Sequence, residues 1–174
     1  ERMNVLFETG QAGAVATTHD WLTPPEILQA LGPFDLDPCA SLYQPWRTAT
    51  KQYTIEDDGL KKEWRGRVWC NPPYGAHAQH WLRRCASHKD AIAFVFARTD
   101  TVVFQDFVFP HAYAMLFLRG RVSFRLPNGD KAGPAGAPSV LVAFNETNGA
   151  ALIRSGIPGS YVCWSTKTPM DKKA

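Results

Sequence analysis

Residues 71 to 74 read Asn-Pro-Pro-Tyr and follow Arg67, Val68, Trp69 and Cys70 directly. The side-chain carbonyl of Asn71 and the backbone carbonyl of Pro72 place two acceptors on adjacent residues. The two prolines fix φ near about −65° and remove two backbone donors, so the acceptors are held without competing hydrogen bonds. Such a pair suits both hydrogens of an exocyclic amino group, like that of adenine, whose lone pair is otherwise delocalised into the ring. Localising that pair makes the nitrogen a nucleophile, and the chemistry implied is methyl transfer to an amine. Tyr74 adds a flat face on which a base taken out of its stack can lie. For folding alone, the same residues are a strand that ends in a proline turn.

The Asn71-Pro72-Pro73-Tyr74 quartet matches the catalytic motif of amino-directed, S-adenosylmethionine-dependent methyltransferases. Five further runs occur in order: Asp20-Trp21-Leu22-Thr23-Pro24-Pro25-Glu26, Phe34-Asp35-Leu36-Asp37-Pro38-Cys39-Ala40-Ser41, Asp57-Asp58-Gly59-Leu60, Arg98-Thr99-Asp100-Thr101 and Gly120-Arg121-Val122-Ser123-Phe124. Together they resemble the small phage-type DNA N6-adenine methyltransferases, from about Asp20 to Phe144. The quartet alone is shared with enzymes that methylate glutamine side chains or RNA, whereas the ordered set is more specific. The resemblance implies S-adenosylmethionine as cofactor, DNA as partner and adenine N6 as acceptor, reached by base flipping and direct transfer without a covalent intermediate. It makes Asn71, Pro72, Pro73 and Tyr74 the catalytic residues. An RNA or glutamine acceptor, or a DNA-binding module with a degenerate cofactor site, are the alternatives.

S-adenosylmethionine carries a ribose diol, an adenine, an ammonium and a sulfonium, so its pocket needs carboxylates and small residues at strand ends. Asp37-Pro38-Cys39-Ala40 fits that need and resembles the acidic cofactor motif of related enzymes, with Asp37 within reach of the ammonium. As local structure, the same Asp-Pro opens a turn. Related enzymes follow this motif with Gly-x-Gly, whereas this chain has Ser41-Leu42-Tyr43. Only 34 positions separate Asp37 from Asn71 (71 − 37), too few for a full helix-strand-helix, so a trimmed sheet is expected. Asp57 and Asp58 are candidates for the ribose, or else a solvated acidic turn. By resemblance, Thr23-Pro24 meets the methionine end of the cofactor; by local physics, Thr23 caps a helix. Trp21 reads slightly better as core than as a cofactor cover.

Arg98 and Asp100 follow a strong strand candidate and therefore share an edge with Asn71, a place suited to DNA phosphate or target-base contact; an internal Arg–Asp ion pair is the alternative. Arg121 and Phe124 lie in the segment that resembles the family's support for the flipped base, with Phe124 as a second stacking face opposite Tyr74 or as one more core aromatic.

Apolar periodicity supplies the frame. Thr23, Pro24 and Glu26 form a capping-box arrangement ahead of Ile27, Leu28 and Leu31, and Gly32-Pro33 stops that helix. Residues 34–37 and 67–70 read as strands, with 42–63 unassigned, and 77–88 carries Trp81, Leu82 and Cys85 at helical spacing. The runs at 91–97, 112–118 and 139–144 are apolar enough for strands covered on both faces, and 122–126 is a further strand before a loop at 127–138. This alternation predicts a doubly wound, trimmed Rossmann-like α/β methyltransferase sheet, with helices on both faces and ligands at the carboxyl ends of the strands.

With 174 residues, 45% of them hydrophobic, there is material for one core. A leader at 1–19, one domain at 20–166 and a tail at 167–174 are expected. The net charge of +3 permits nucleic-acid binding without requiring it, although arginines at 65, 67, 83, 84, 98, 119, 121 and 125 crowd the motifs. Four cysteines without a C-x-x-C pair and five histidines without ligand spacing point to reduced thiols and no metal. With no long apolar run and no signal pattern, a cytoplasmic protein without membrane contact, phage- or prophage-encoded by the resemblance, is expected. Oligomeric state leaves no mark in the sequence.

Overall fold

Strict alternation along four buried strands sorts their side chains between two cores. In the computed structural model, which describes residues 21–75 and 77–164, these strands are β3 (Val68–Cys70), β4 (Ala91–Phe96), β5 (Ala114–Leu118) and β8 (Ser139–Ala143). Val68, Cys70, Ala91, Ala93, Val95, Met115, Val140 and Val142 face one way. They pack on Trp81, Leu82 and Cys85 of α2 (Ala78–His88) and on Phe104 and Val108 of a π-helical turn (Phe104–Val108). Trp69, Ile92, Phe94, Leu116, Leu141 and Ala143 face the other way, onto Ile27, Leu28 and Leu31 of α1 (Pro25–Leu31) and Leu152 of α3 (Glu146–Arg154). Burial on both faces explains why these strands lack polar alternation.

The sheet has seven strands in the order β2-β1-β3-β4-β8-β5-β9, with β1 (Leu36–Asp37), β2 (Lys51–Gln52) and β9 (Gly159–Cys163) completing it. Strands β2, β1, β3 and β4 run parallel; β8 lies antiparallel between β4 and β5, and β9 antiparallel on β5. This is the expected Rossmann-like α/β methyltransferase sheet with helices on both faces. It is also trimmed as expected: between β1 and β3 stands only the two-residue β2, with no helix. Strands β6 (Ser123–Arg125) and β7 (Lys131–Pro134) form a separate hairpin.

A polar network ties the amino ends of the strands, away from the carboxyl ends. Arg67 donates to the carbonyls of Leu31 and Pro33 at 2.7 and 2.9 Å and to Asn148 Oδ1 at 2.7 Å. Asp90 accepts from Asn145 and Asn148, and Asn145 caps α3 through the Asn148 amide. Arg67 is therefore a structural member of the crowded arginine set.

Three expectations need correction. The capping box is absent: Pro24 holds the N-cap without a side-chain bond, and Glu26 instead pairs with Arg125 at 3.2 Å. The loop at 127–138 contains β7, because a Pro/Gly-rich edge strand in a two-stranded hairpin needs little apolar patterning. Trp21 is 39% exposed and is not core. The leader and tail lie outside the described residues. Among the described residues no helix is long and apolar enough to cross a membrane.

Candidate active site

Strands β1 and β3 are parallel neighbours, so their last residues, Asp37 and Cys70, emerge at the same edge of the sheet. Each is followed at once by a proline-containing turn, and a cavity of about 680 Å³ opens over the two turns. That volume lies within the range of about 300–1,000 Å³ usual for small-molecule sites. Residues 37–42 and 71–74 form its two main walls, residues 21–23 a third, and Thr48, Thr54, Asp58 and Gly59 close it. The runs singled out around Asp37, Asn71 and Thr23 thus converge on one cavity, from three separate parts of the chain.

Asn71 is oriented from outside its own motif. Its amide nitrogen donates to the Trp21 carbonyl at 2.9 Å, and since a carbonyl only accepts, this fixes which way the amide faces. Its Oδ1 is buried without any hydrogen-bond partner among the described residues. An orphaned buried acceptor costs about 1–3 kcal/mol, a cost that a donor entering the cavity would remove. The Asn71 backbone carbonyl is held by the Cys39 thiol at 3.4 Å, which links the two turns.

Asp37 is 3% exposed and accepts from the Cys39 amide at 3.0 Å and from the Thr48 hydroxyl. The first bond closes the expected Asp-Pro turn; the second reaches into the segment that sequence periodicity leaves unassigned. Burial pushes the carboxyl up to about 6, against the lowering effect of those two hydrogen bonds. Burial likewise drives the thiol of Cys39 up to about 11 and that of Cys70 well above its ordinary value, so both stay protonated at neutral pH. Their sulfurs are 3.8 Å apart, and all the cysteines among the described residues are free thiols.

Tyr74 lines the cavity, with its hydroxyl pushed upward by burial. Phe124 is 1% exposed and meets Tyr74 edge-on at 6.3 Å. It is a buried brace, so the expectation that it offers a second open stacking face is corrected. The apolar pull of Phe94, Phe96 and Trp21 around it explains its placement.

Thr23 is buried in the cavity wall, while Pro24 lines a neighbouring notch instead. Of the two acidic candidates, Asp58 lines the cavity and Asp57 does not, because Asp57 is spent on the Thr54 amide and hydroxyl. Asp58 adopts φ 54° and pairs with Lys61 at 2.7 Å. Arg98 and Asp100 are exposed beyond β4 and form no ion pair with each other among the described residues. Arg121 is exposed beside the notch.

The match to a family model spans residues 13–166 and covers every part of this cavity; the family is described as DNA N-6-adenine-methyltransferase (Dam). The chain belongs to that family. Family membership makes it an enzyme of the DNA adenine methyltransferase class. Neither a curated protein nor a solved structure matches the chain. For a DNA N-6-adenine-methyltransferase, motif reading weighs Trp21 only as core or as a cofactor cover and passes over Thr48, though both line the cavity. One acts through a backbone carbonyl, which no side-chain pattern reports. The other sits in an irregular stretch eleven residues from its partner Asp37.

Proposed function

We propose that the chain methylates the N6 amino group of an adenine swung out of DNA, using S-adenosylmethionine. The observation that carries this reading is the buried, unpartnered Oδ1 of Asn71 in the cavity wall. With the Pro72 carbonyl, it offers the target amine two acceptors in place of water. Accepting both hydrogens draws the nitrogen lone pair out of the ring and stabilises positive charge as it develops there. Tyr74 supplies the stacking face, with Phe124 bracing it from within. A base in duplex is out of reach of so recessed an acceptor, so the reading requires the adenine to leave its stack.

The cavity chemistry fits the cofactor. Asp37 is a buried carboxylate without a cationic partner among the described residues, and the ammonium of S-adenosylmethionine would relieve its desolvation. Asp37 with Pro38, Cys39 and Ala40 would hold the methionine end together with Thr23, and Asp58, which also lines the cavity, would meet the ribose diol. When bound, S-adenosylmethionine supplies a methyl group already activated on sulfonium. Arg98 and Arg121 would meet phosphates of the DNA, and Asp100 would accept from a base amino group near the target.

The test is methyl transfer from labelled S-adenosylmethionine to DNA, with RNA and a glutamine-containing peptide as competitors. N6-methyladenine in the DNA supports the reading. Transfer only to RNA or peptide would replace the acceptor; absent cofactor binding would favour a DNA-binding module.

A further inference from the structure

Phe96 is the last residue of β4 and enters neither the expected motifs nor the reaction described above. Its ring lies parallel to that of Tyr74, with centroids 4.1 Å apart and planes inclined by 12°. Tyr74 follows β3, the parallel neighbour of β4, so the sheet itself sets one ring beside the other. Phe124 meets Tyr74 and Phe96 edge-on, at 6.3 Å each and at 79° and 81°, and holds the stack at its side. Tyr74 lines the cavity and Phe96 does not. Phe96 therefore backs one face of the tyrosine from outside the cavity that Tyr74 lines.

We infer that Phe96 is a positioning residue for the target base: it fixes the plane of Tyr74, so that the incoming base completes a three-layer stack of base, Tyr74 and Phe96. This inference rests on the proposed acceptor being a flipped base. A tyrosine on a proline turn has two side-chain torsions to settle, and a parallel ring behind it settles both before the base arrives. Aromatic pairing adds a modest preference beyond simple burial, and stacking of a base on an aromatic ring is worth several-fold or more in binding. Loss of the backing ring should thus appear in the interaction with DNA and leave the cofactor wall untouched.

The experiment compares the full chain with Phe96→Leu, Phe96→Met and Phe96→Tyr, measuring KM for DNA, kcat and S-adenosylmethionine affinity, with folding followed by circular dichroism. In whichever of the Leu and Met variants folds, KM for DNA is expected to rise about 3- to 10-fold, with kcat and cofactor affinity within about twofold of the parent, and Phe96→Tyr to restore the parent value. An unchanged KM in a folded variant overturns the inference while leaving DNA methylation standing, and so does an equal loss of cofactor affinity, which marks a general packing role. Absence of N6-methyladenine with the parent chain overturns the reading beneath it as well.

Discussion

Asn71 and Asp37 each carry a buried oxygen whose energetic cost falls when the right ligand arrives, and each yields a distinct expectation. Asn71→Ala removes the orphaned acceptor and the bond to Trp21. It should lower kcat by about 100-fold or more while leaving the cofactor affinity within a fewfold, as measured by single-turnover transfer and equilibrium titration. Asp37 has a folded-state value near 6 against 3.8 for the free group, so the folded chain holds a proton that the unfolded chain has lost. Its contribution to stability therefore falls as pH rises from about 3.8 to 6, by on the order of 2–3 kcal/mol, because charge is being forced into a buried site. Asp37→Asn removes the charge and keeps an acceptor for the Cys39 amide, while the Thr48 hydroxyl turns to accept from the new amide nitrogen. It should be more stable than the parent above pH 6 and near parity at pH 4, by urea unfolding. S-adenosylmethionine affinity of the parent should weaken as pH drops below 6, where the carboxylate is neutralised, and that dependence should vanish in the variant. A flat parent profile would remove Asp37 from the cofactor site. At this scale, the consecutive residues of the two turns are legible in sequence because their chemistry is local. Trp21 and Thr48 are not, since their contributions depend on where distant backbone passes.

Among the elements, the turn before β3 shows how closely the cavity walls are fitted. A Cβ on Gly59 would lie 1.9 Å from the Pro38 carbonyl oxygen, and the Gly59 carbonyl accepts from the Trp64 indole at 2.9 Å. Gly59→Ala must push the 57–60 turn away from the turn at Asp37–Ala40. The expected result is a loss of several kcal/mol in stability or, in a folded variant, at least tenfold weaker cofactor binding, checked by thermal unfolding and titration. Wild-type values for both would mean the approach is not maintained in solution. Elements with continuous apolar runs, β3, β4, β5 and β8, are legible because burial on two faces leaves an unmistakable pattern, and α2 is legible because Trp81, Leu82 and Cys85 recur at helical spacing on its one buried face. Helix α3 escapes such reading because Gly149 stands in it, where the Tyr113 ring comes within 2.7 Å of a would-be Cβ. Strand β9 escapes it because its side chains are largely exposed, so nothing apolar announces it. Strand β2 is two residues long and owes its existence to pairing with β1.

For the whole molecule, a net charge of +3 understates the field near the site. Several arginines are consumed internally: Arg67 in the amino-end network, Arg84 on the Leu60 and Lys62 carbonyls, Arg65 with Glu63 and Arg125 with Glu26. Arg98, Arg119 and Arg121 remain exposed without an ion pair among the described residues, beyond the carboxyl ends of β4 and β5. Replacing these three with Ala should weaken DNA binding across all sequences and flatten the slope of log affinity against log salt by up to about 0.9 for each phosphate that is no longer neutralised. An unchanged slope would move the DNA to another face. The most direct test of the central claim is nucleoside mass spectrometry of DNA after reaction with S-adenosylmethionine, for the parent chain and Asn71→Ala side by side. N6-methyladenine is expected from the parent and almost none from the variant at equal cofactor occupancy; equal yields from the two would contradict the proposed role of Asn71.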